Sequence, residues 1–295
     1  MHRTFPRRRL LFPVELLTGV VFLAALFSVA APAAQAQSSA AALEFSVSAA
    51  PTQGRPEKVM QQPFFLLTKS LKEIEALARE ETRPPDLNAF VDELPLSDGM
   101  KAWMKKHQRV KLDGDDLAGK LTVDDLLDIP EFQEAYITHN LPMVGLGFPK
   151  RKAKLTDREK NPEKWEASEK RFWEEVRTYI ILHPESKDGL GEQLLEKNPV
   201  AGWNARQKRH EDLVRQQALA LVHSRYLARR AETDLEGTGR ITGVPAGRYW
   251  FSSLWNEARA GDVRLRWELP VELRAGETLR LELNNANALL PPVQP

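Results

Sequence analysis

The strict alternation of apolar and polar residues near the C-terminal end constrains the fold of this chain more than any other feature. A period of two over this length indicates extended chain with one buried and one solvated face. Pro270 interrupts the polar positions and cannot donate a ladder hydrogen bond, so we expect it to lie at a sheet edge or at a bend that divides the run into two strands. The apolar positions are Val263, Leu265, Trp267, Leu269, Val271 and Leu273.

Neighbouring segments extend this pattern. After a turn at residues 275–277, leucines alternate with polar residues through 279–283. Residues 239–244 and 248–254 form two more short candidate strands, separated by the Pro-Ala-Gly sequence at 245–247. Short strands joined by Gly- and Pro-containing turns at this spacing predict an antiparallel β-sandwich.

The segment near the N-terminal end also has the pattern of strands. Leu43, Phe45 and Val47 alternate with polar residues, and residues 64–67 form a continuous apolar run that is typical of a strand buried on both faces. Neither these strands nor the C-terminal ones close a sandwich alone. We therefore expect one β-domain with strands from both ends, because a long insertion adds little loop-closure entropy.

The residues between the two sets of strands have the apolar spacing of helices. One long helix is predicted to begin after Pro162, and a second contains Trp203 and His210 and runs to about Arg230. Thr122 is a candidate N-cap, with Asp125 three residues later. Shorter helices are predicted at 71–80, 98–107, 123–127 and 131–138.

The predicted fold class is therefore α+β, a β-sandwich built from N- and C-terminal strands with an inserted, mainly α-helical region. The expected divisions are a leader at 1–36, N-terminal strands at 37–70, the helical insertion at 71–230, C-terminal strands at 231–290 and a tail at 291–295.

The first 36 residues have the pattern of a Sec-type signal peptide. Four arginines at 3–9 precede an apolar stretch at 16–31, and Ala34-Gln35-Ala36 provides a small-x-small cleavage site. The apolar run is shorter than the ~20 residues that span a bilayer. We therefore expect cleavage after Ala36, no membrane span after cleavage, and a periplasmic or secreted location.

Composition excludes several functional classes. The chain has no cysteine, which removes disulfides, thiolate nucleophiles and Cys-ligated metals. It carries 42 Lys and Arg against 41 Asp and Glu, and the predicted signal peptide holds four of the bases and one of the acids. The remaining 38 bases and 40 acids argue against nucleic acid as a partner, since that function requires a basic footprint.

Motifs for catalysis and metal binding are incomplete. The acidic turn at 113–116 lacks the Gly and Glu that an EF-hand loop needs at its sixth and twelfth positions. The chain also lacks a Gly-x-Ser-x-Gly or Ser-x-x-Lys sequence. We therefore predict no catalytic residue, no metal ligand and no cofactor. The histidines, which lack His-x-x-x-His spacing, are His107, His139, His183, His210 and His223.

Two short motifs near residue 240 contain residue types that stabilise backbone turns. Asp234 can accept a hydrogen bond from the backbone two residues later, and Gly237 can take the positive φ that closes such a turn. Pro245 fixes φ for a second turn, in which Gly247 is free to adopt positive φ. We also expect Tyr249 to bury its ring and to bond its hydroxyl to the backbone. The full set of turn residues is Thr233, Asp234, Gly237, Gly243, Pro245, Gly247 and Tyr249.

These motifs resemble those of the carboxypeptidase regulatory-like domain. The chain reads Thr-Asp-Leu-Glu-Gly at 233–237 and Gly-Val-Pro-Ala-Gly-Arg-Tyr at 243–249. The family pattern is Thr-Asp-x-x-Gly, a short strand, and Gly-Leu/Val-Pro-x-Gly-x-Tyr. The resemblance implies a prealbumin-like sandwich, a fold also grouped with carbohydrate-binding-like domains, and says nothing about the helices. Gly239 departs from the pattern, since the family commonly has an aromatic or aliphatic residue there.

Trp250 and Trp255 are the candidate ligand-binding residues. If both are exposed together, they form a platform on which a sugar could stack. The alternative, which we favour, is that Trp250 covers the second face of the sheet beneath the helices, because a helical block of this size needs an apolar surface on which to dock.

These features predict a non-catalytic binding or structural module of the bacterial cell envelope or periplasm. The expected partner is an envelope polysaccharide or another envelope protein. Two alternatives are a carbohydrate-binding protein that uses Trp250 and Trp255, and an enzyme whose site lies in the helical insertion.

Overall fold

The structure is a computed structural model that describes residues 40–289. The predicted signal peptide and the tail at 291–295 lie outside the described residues. The strands are β1 (Ala41–Ala49), β2 (Glu57–Lys58), β3 (Pro63–Leu67), β4 (Leu227–Glu232), β5 (Thr238–Val244), β6 (Gly247–Ser252), β7 (Ala258–Ala260), β8 (Val263–Leu265), β9 (Glu268–Leu273) and β10 (Thr278–Leu283).

Helices occupy the chain between β3 and β4. Several begin at the caps that their sequences provide, and the Thr122–Asp125 pair forms the capping box at the start of α5. The α-helices are α1 (Leu71–Glu81), α2 (Leu87–Asp92), α3 (Asp98–His107), α4 (Leu117–Lys120), α5 (Val123–Asp128), α6 (Pro130–Asn140), α7 (Asp157–Lys160), α8 (Pro162–Leu182) and α9 (Val200–Leu221). None of the helices within residues 40–289 combines the length and the apolar character needed to cross a bilayer.

Within residues 40–289, the strands form two four-stranded sheets and one hairpin. In the first sheet, β1 pairs in parallel with β10 and in antiparallel with β5 and β2. The second sheet has the order β4-β3-β6-β9 and is antiparallel throughout. Strands β7 and β8 form the hairpin. The α+β class is confirmed, and strands from both ends of the chain share each four-stranded sheet.

The β1–β10 pair is an exception to the predicted antiparallel arrangement, which the other strand pairs of the two large sheets follow. Its register runs from Ala42 opposite Thr278 to Val47 opposite Leu283, with both strands in the same direction. Parallel neighbours require a long connection, and these two strands are separated by nearly all of the described chain. Alternation within each strand is the same for either direction, so the sequence pattern did not distinguish them.

The two sheets face each other across an aromatic core. The Phe45 ring of the first sheet lies 5.3 Å from the Phe64 ring and 4.8 Å from the Phe251 ring, both in the second sheet. The rings of Phe64 and Phe251 stack 5.1 Å apart. Fully buried Trp267 closes one end, where its Nε1 donates to the Asn284 carbonyl at 2.9 Å.

Strand β3 is buried on both faces, as its apolar run predicts. Phe64 and Leu66 point into the core between the sheets, whereas Phe65 and Leu67 point outward. There they pack with buried residues of α1 and α9, among them Ile74 and Val214. These two helices therefore cover the outer face of the second sheet. The helices between them form a separate apolar cluster, whose buried residues extend from Phe90 to Leu194.

One predicted boundary is wrong. The second long helix was expected to run to about Arg230, but α9 ends at Leu221 and a π-helical turn leads into β4 at Leu227. Residues Leu227–Glu232 pair with β3, so the last part of the predicted helix is a β-strand. Pro270 has the first of its two expected placements, a sheet edge, because it lies within β9, and the long alternating run divides after Leu265 instead. Because β9 is an edge strand, the missing N–H of Pro270 is tolerated.

The Phe45 ring occupies the space that a side chain at position 239 would fill. A Cβ at this position would lie 2.3 Å from Cζ of Phe45 and 2.8 Å from two more ring atoms. The departure from the family pattern thus lets the ring of the central strand reach across its neighbour.

We predict that Gly239→Ala lowers the free energy of unfolding by roughly 1–3 kcal/mol, because the added methyl overpacks against Phe45. Gly119→Ala is the control, since its Cβ would meet nothing within 4 Å, and it should leave stability unchanged or slightly increased. Urea unfolding measures both. Equal stability of G239A and wild type would contradict this account, and F45L should partly restore G239A if the ring is the obstacle.

Candidate functional site

The outer face of the first sheet is the candidate site. Strand β1 alternates buried residues such as Leu43 and Phe45 with partly exposed Glu44 and Ser46. No helix cluster covers this side in residues 40–289, in contrast to the second sheet, whose outer face lies under α1 and α9. We call this surface the β1 face; it consists of the outward side chains of Glu44, Ser46, Thr238, Arg240, Arg280 and Glu282.

A row of three charges crosses the β1 face. Register places Glu44 opposite Arg240 on β5 and opposite Arg280 on β10. The Nε atom of Arg280 lies 3.3 Å from one carboxylate oxygen of Glu44, and that of Arg240 lies 3.6 Å from the other. The arginine side chains are 62% and 85% exposed, for Arg240 and Arg280 respectively. Exposed pairs contribute only about 0–1 kcal/mol, so either guanidinium can exchange Glu44 for an anionic group of a ligand.

The next row along the strands is uncharged at its centre and acidic at its sides. Ser46 lies opposite Thr238 and Glu282. Asp234, in the turn before β5, accepts hydrogen bonds from the hydroxyl and the backbone N–H of Thr238, both at 2.7 Å. The Thr238 hydroxyl contributes most to lowering the pKa of Asp234, with the backbone bond adding to it. Asp234 is therefore ionised at neutral pH.

The two rows line a shallow groove of about 480 Å³. Its cationic row and its acidic row are separated by two residues along a strand, which corresponds to about 7 Å. The charges of the groove are therefore complementary to a ligand that presents alternating anionic and cationic groups. The ligand must also be flat enough to lie across three strands.

The Thr233–Gly237 turn borders this groove and has the predicted hydrogen bonds. Asp234 accepts from the N–H of Glu236 at 3.0 Å, and Gly237 has a φ of +73°. A Cβ at Gly237 would lie 2.9 Å from the Val47 carbonyl oxygen, so both conformation and space favour glycine. Buried Thr233 accepts from the N–H of Gln62 at 2.9 Å, which fixes the turn to the chain that leads into β3.

The second turn differs in part from its prediction. The hydroxyl of half-buried Tyr249 donates to the Pro245 carbonyl at 3.1 Å, as the sequence indicated. Positive φ occurs at Gly243, at +71°, and not at Gly247. Gly247 opens β6 in extended conformation, opposite Leu273 of β9, and does not use the positive φ that glycine permits.

Trp250 and Trp255 lie together on the other side of the β-domain. Both are partly buried and pack against the cluster formed by β3, α1 and α9. The Nε1 atom of Trp255 donates to Glu75 of α1 at 2.8 Å, and the Arg215 guanidinium lies 6.0 Å from the Trp255 ring centre. The structure thus places both tryptophans where helices dock on the second sheet, at a distance from the β1 face.

Glu268 fixes the beginning of α1 to the same sheet. Its carboxylate accepts a hydrogen bond from the N–H of Leu71, the first residue of the helix. Burial raises the pKa of Glu268, and the nearby carboxylates of Glu75 and Glu73 raise it further, against the effect of the Leu71 hydrogen bond.

An arginine side chain binds the acidic turn at 113–116. The guanidinium of Arg109 bonds to both carboxylate oxygens of Asp116, at 2.7 and 3.0 Å, and to the Asp113 carbonyl at 2.8 Å. In the described range 40–289, no three His, Asp or Glu side chains are grouped so that they could hold a metal ion.

Glu44, Arg240 and Arg280 were not singled out from the sequence. Alternation at 43–47 and 279–283 does place positions 44 and 280 on outward faces. What the pattern does not contain is the register that brings these positions next to each other across 236 residues.

No family model matches the chain, and neither the curated proteins nor the solved structures include one that is significantly similar to it.

We predict that Glu268→Gln gains stability relative to wild type as the pH rises from about 4 to 7. The folded-state pKa of Glu268 is above the ordinary 4.5, so its stabilising contribution is present below that value and is lost as the pH rises through the raised pKa. Glutamine keeps an acceptor for Leu71 without the charge. Urea unfolding across this range measures the difference.

Exposed Glu272 lies on the same strand and provides the control, since Glu272→Gln should follow the wild-type pH profile. A pH-independent difference between E268Q and wild type would contradict the role assigned to burial.

Proposed function

We propose that this protein is an exported, non-catalytic binding or structural module of the bacterial cell envelope or periplasm, and that it binds its partner through the β1 face. The partner is an envelope polysaccharide or another envelope protein. The N-terminal pattern of arginines, apolar stretch and Ala34-Gln35-Ala36 supports export.

The observation that carries this proposal is the charge row of Arg240, Glu44 and Arg280 on an open sheet. All three side chains project from paired strands, so the backbone holds their spacing in advance of binding. The groove is shallow and its outward side chains are charged or carry hydroxyls, whereas sites for small molecules are typically concave and lined mainly by apolar side chains. A long polymer or a protein surface fits such a face better than a small substrate does.

The resemblance to the carboxypeptidase regulatory-like domain belongs to the same proposal. We infer a prealbumin-like sandwich with the helical region inserted between β3 and β4. The hydrogen bonds of Asp234 and Tyr249 support this inference, because both side chains satisfy the turns that the family motifs require. Strands from both ends of the chain also meet in each of the two large sheets.

The test is sedimentation of the chain with the insoluble, lipid-free fraction of a bacterial envelope. Wild type should be retained saturably. Arg240→Glu combined with Arg280→Glu should weaken retention by at least about tenfold, because the two new carboxylates repel the anionic groups of the partner. Arg259→Glu combined with Arg264→Glu is the matched control, since these arginines are also exposed and opposite each other, on the β7–β8 hairpin.

Equal retention of the two double variants would exclude the β1 face as the binding surface. Turnover of generic ester, peptide or glycoside substrates, abolished by one substitution within the helical region, would instead support an enzyme and overturn the proposal.

A further inference from the structure

The two most exposed large apolar side chains of the described residues stand on either side of a basic run. Leu146 is 76% and Leu155 is 79% exposed. Between them the chain reads Lys-Arg-Lys-Ala-Lys at 150–154, and all four basic side chains are exposed. Single exposed leucines are common on protein surfaces, but a pair that flanks four cations is an amphipathic pattern.

Leu146 is presented by a tightly bonded turn. Its N–H donates to the Met143 carbonyl at 2.9 Å, and the N–H of Phe148 donates to the same oxygen at 3.1 Å. Phe148 is buried, with its ring 5.2 Å from that of Tyr179 on α8. Gly145 and Gly147, on either side of Leu146, both have positive φ. The hydrogen bonds and the buried Phe148 fix the backbone of the turn, and the turn directs the Leu146 side chain toward solvent.

The basic run lies along α8. The N–H of Ala153 donates to the Ser168 hydroxyl at 3.2 Å, and the Arg151 guanidinium lies 4.7 Å from the Phe172 ring centre. Between this segment and α8 there is a groove of about 610 Å³. Its charged lining is Lys152, Lys164, Lys170 and Arg171, with Glu174 as the acid.

Carboxylates balance only part of this positive charge. Arg151 lies 3.5 Å from Glu169, and Lys152 lies 3.4 Å from Glu175, in pairs open to solvent that contribute about 0–1 kcal/mol. Lys150 and Lys154 form no ion pair within residues 40–289.

We infer that this segment docks on the surface of an anionic lipid bilayer. The docking strip comprises Leu146, Lys150, Arg151, Lys152, Lys154 and Leu155. The leucines enter the boundary between headgroups and acyl chains, and the cations bind headgroup phosphates, with the groove beside α8 accepting one of them. The inference rests on the proposed function only in placing the protein at the envelope, since the strip lies in the helical region, apart from the β1 face.

The test is flotation of the chain from Gln37 onward with vesicles of phosphatidylcholine, with or without phosphatidylglycerol. Removal of the first 36 residues leaves the compact unit that begins at Ala40. We expect binding to the mixed vesicles, reduced by salt, and much weaker binding to phosphatidylcholine alone.

Two variants test the two parts of the strip. Replacement of Lys150, Lys152 and Lys154 by Glu should weaken binding at least about a hundredfold, since each cation at such a surface contributes about fivefold. L146S combined with L155S should weaken it by about tenfold or more. The controls replace exposed residues elsewhere: Lys106, Lys111 and Lys208 by Glu, or Leu213 and Leu235 by Ser. They should bind as wild type does.

Flotation that is insensitive to both strip variants would overturn the inference, as would equal binding to the two kinds of vesicle. If the lysine variant loses binding but L146S/L155S does not, and free polyphosphate competes fully, the segment binds soluble polyanions and the lipid assignment is wrong. The vesicles contain no envelope polymer, so a failure to bind them would not contradict the proposed binding through the β1 face. Likewise, loss of polymer binding in R240E/R280E would not contradict the proposed binding of lipid by the docking strip.

Discussion

The hydrogen bonding of β1 to both β5 and β10 is the constraint on which the rest of the β-domain depends. This pairing packs Phe45 against both Phe64 and Phe251, and so joins the two sheets through one aromatic core. It also explains Gly239, because the central strand can carry a phenylalanine only where its neighbour has no Cβ. On the opposite side of the same strand, the pairing brings two arginines to Glu44.

The outer faces of the two large sheets have different surroundings because β1 and β3, the strands at their centres, differ in sequence. Strand β3 is apolar on both sides and must be covered, which α1 and α9 do. Trp250, Trp255 and Glu268 belong to that docking. Strand β1 is apolar on one side only, so its polar side can remain open to a partner. The two ends of the helical region lie next to each other, because the N–H of Thr68 donates to the Tyr226 carbonyl at 2.9 Å. The chain therefore leaves the second sheet after β3 and returns to it at β4 from the same place.

Local patterns predicted the elements well and their partners poorly. Alternation at 43–47 and the Thr122 cap of α5 depend on neighbouring residues, so the sequence contains that information directly. The parallel direction of β10, the strand at Leu227–Glu232 and the charge row at Glu44 depend on contacts between distant residues. Gly239 illustrates the limit: its sequence context suggests a weakened strand, and only the position of Phe45 shows a filled space.

The order in which these contacts become available has a consequence for folding. The cluster of residues 90–194 closes within a contiguous stretch, and can form as soon as that stretch exists. In contrast, among the strands of residues 40–289, β1 has no ladder partner except β2 until residues 238–283 have been made. Such non-local pairing is slow, and unpaired strand edges invite association with other chains. The interval between synthesis of β1 and of β10 is therefore when mispairing most threatens this protein.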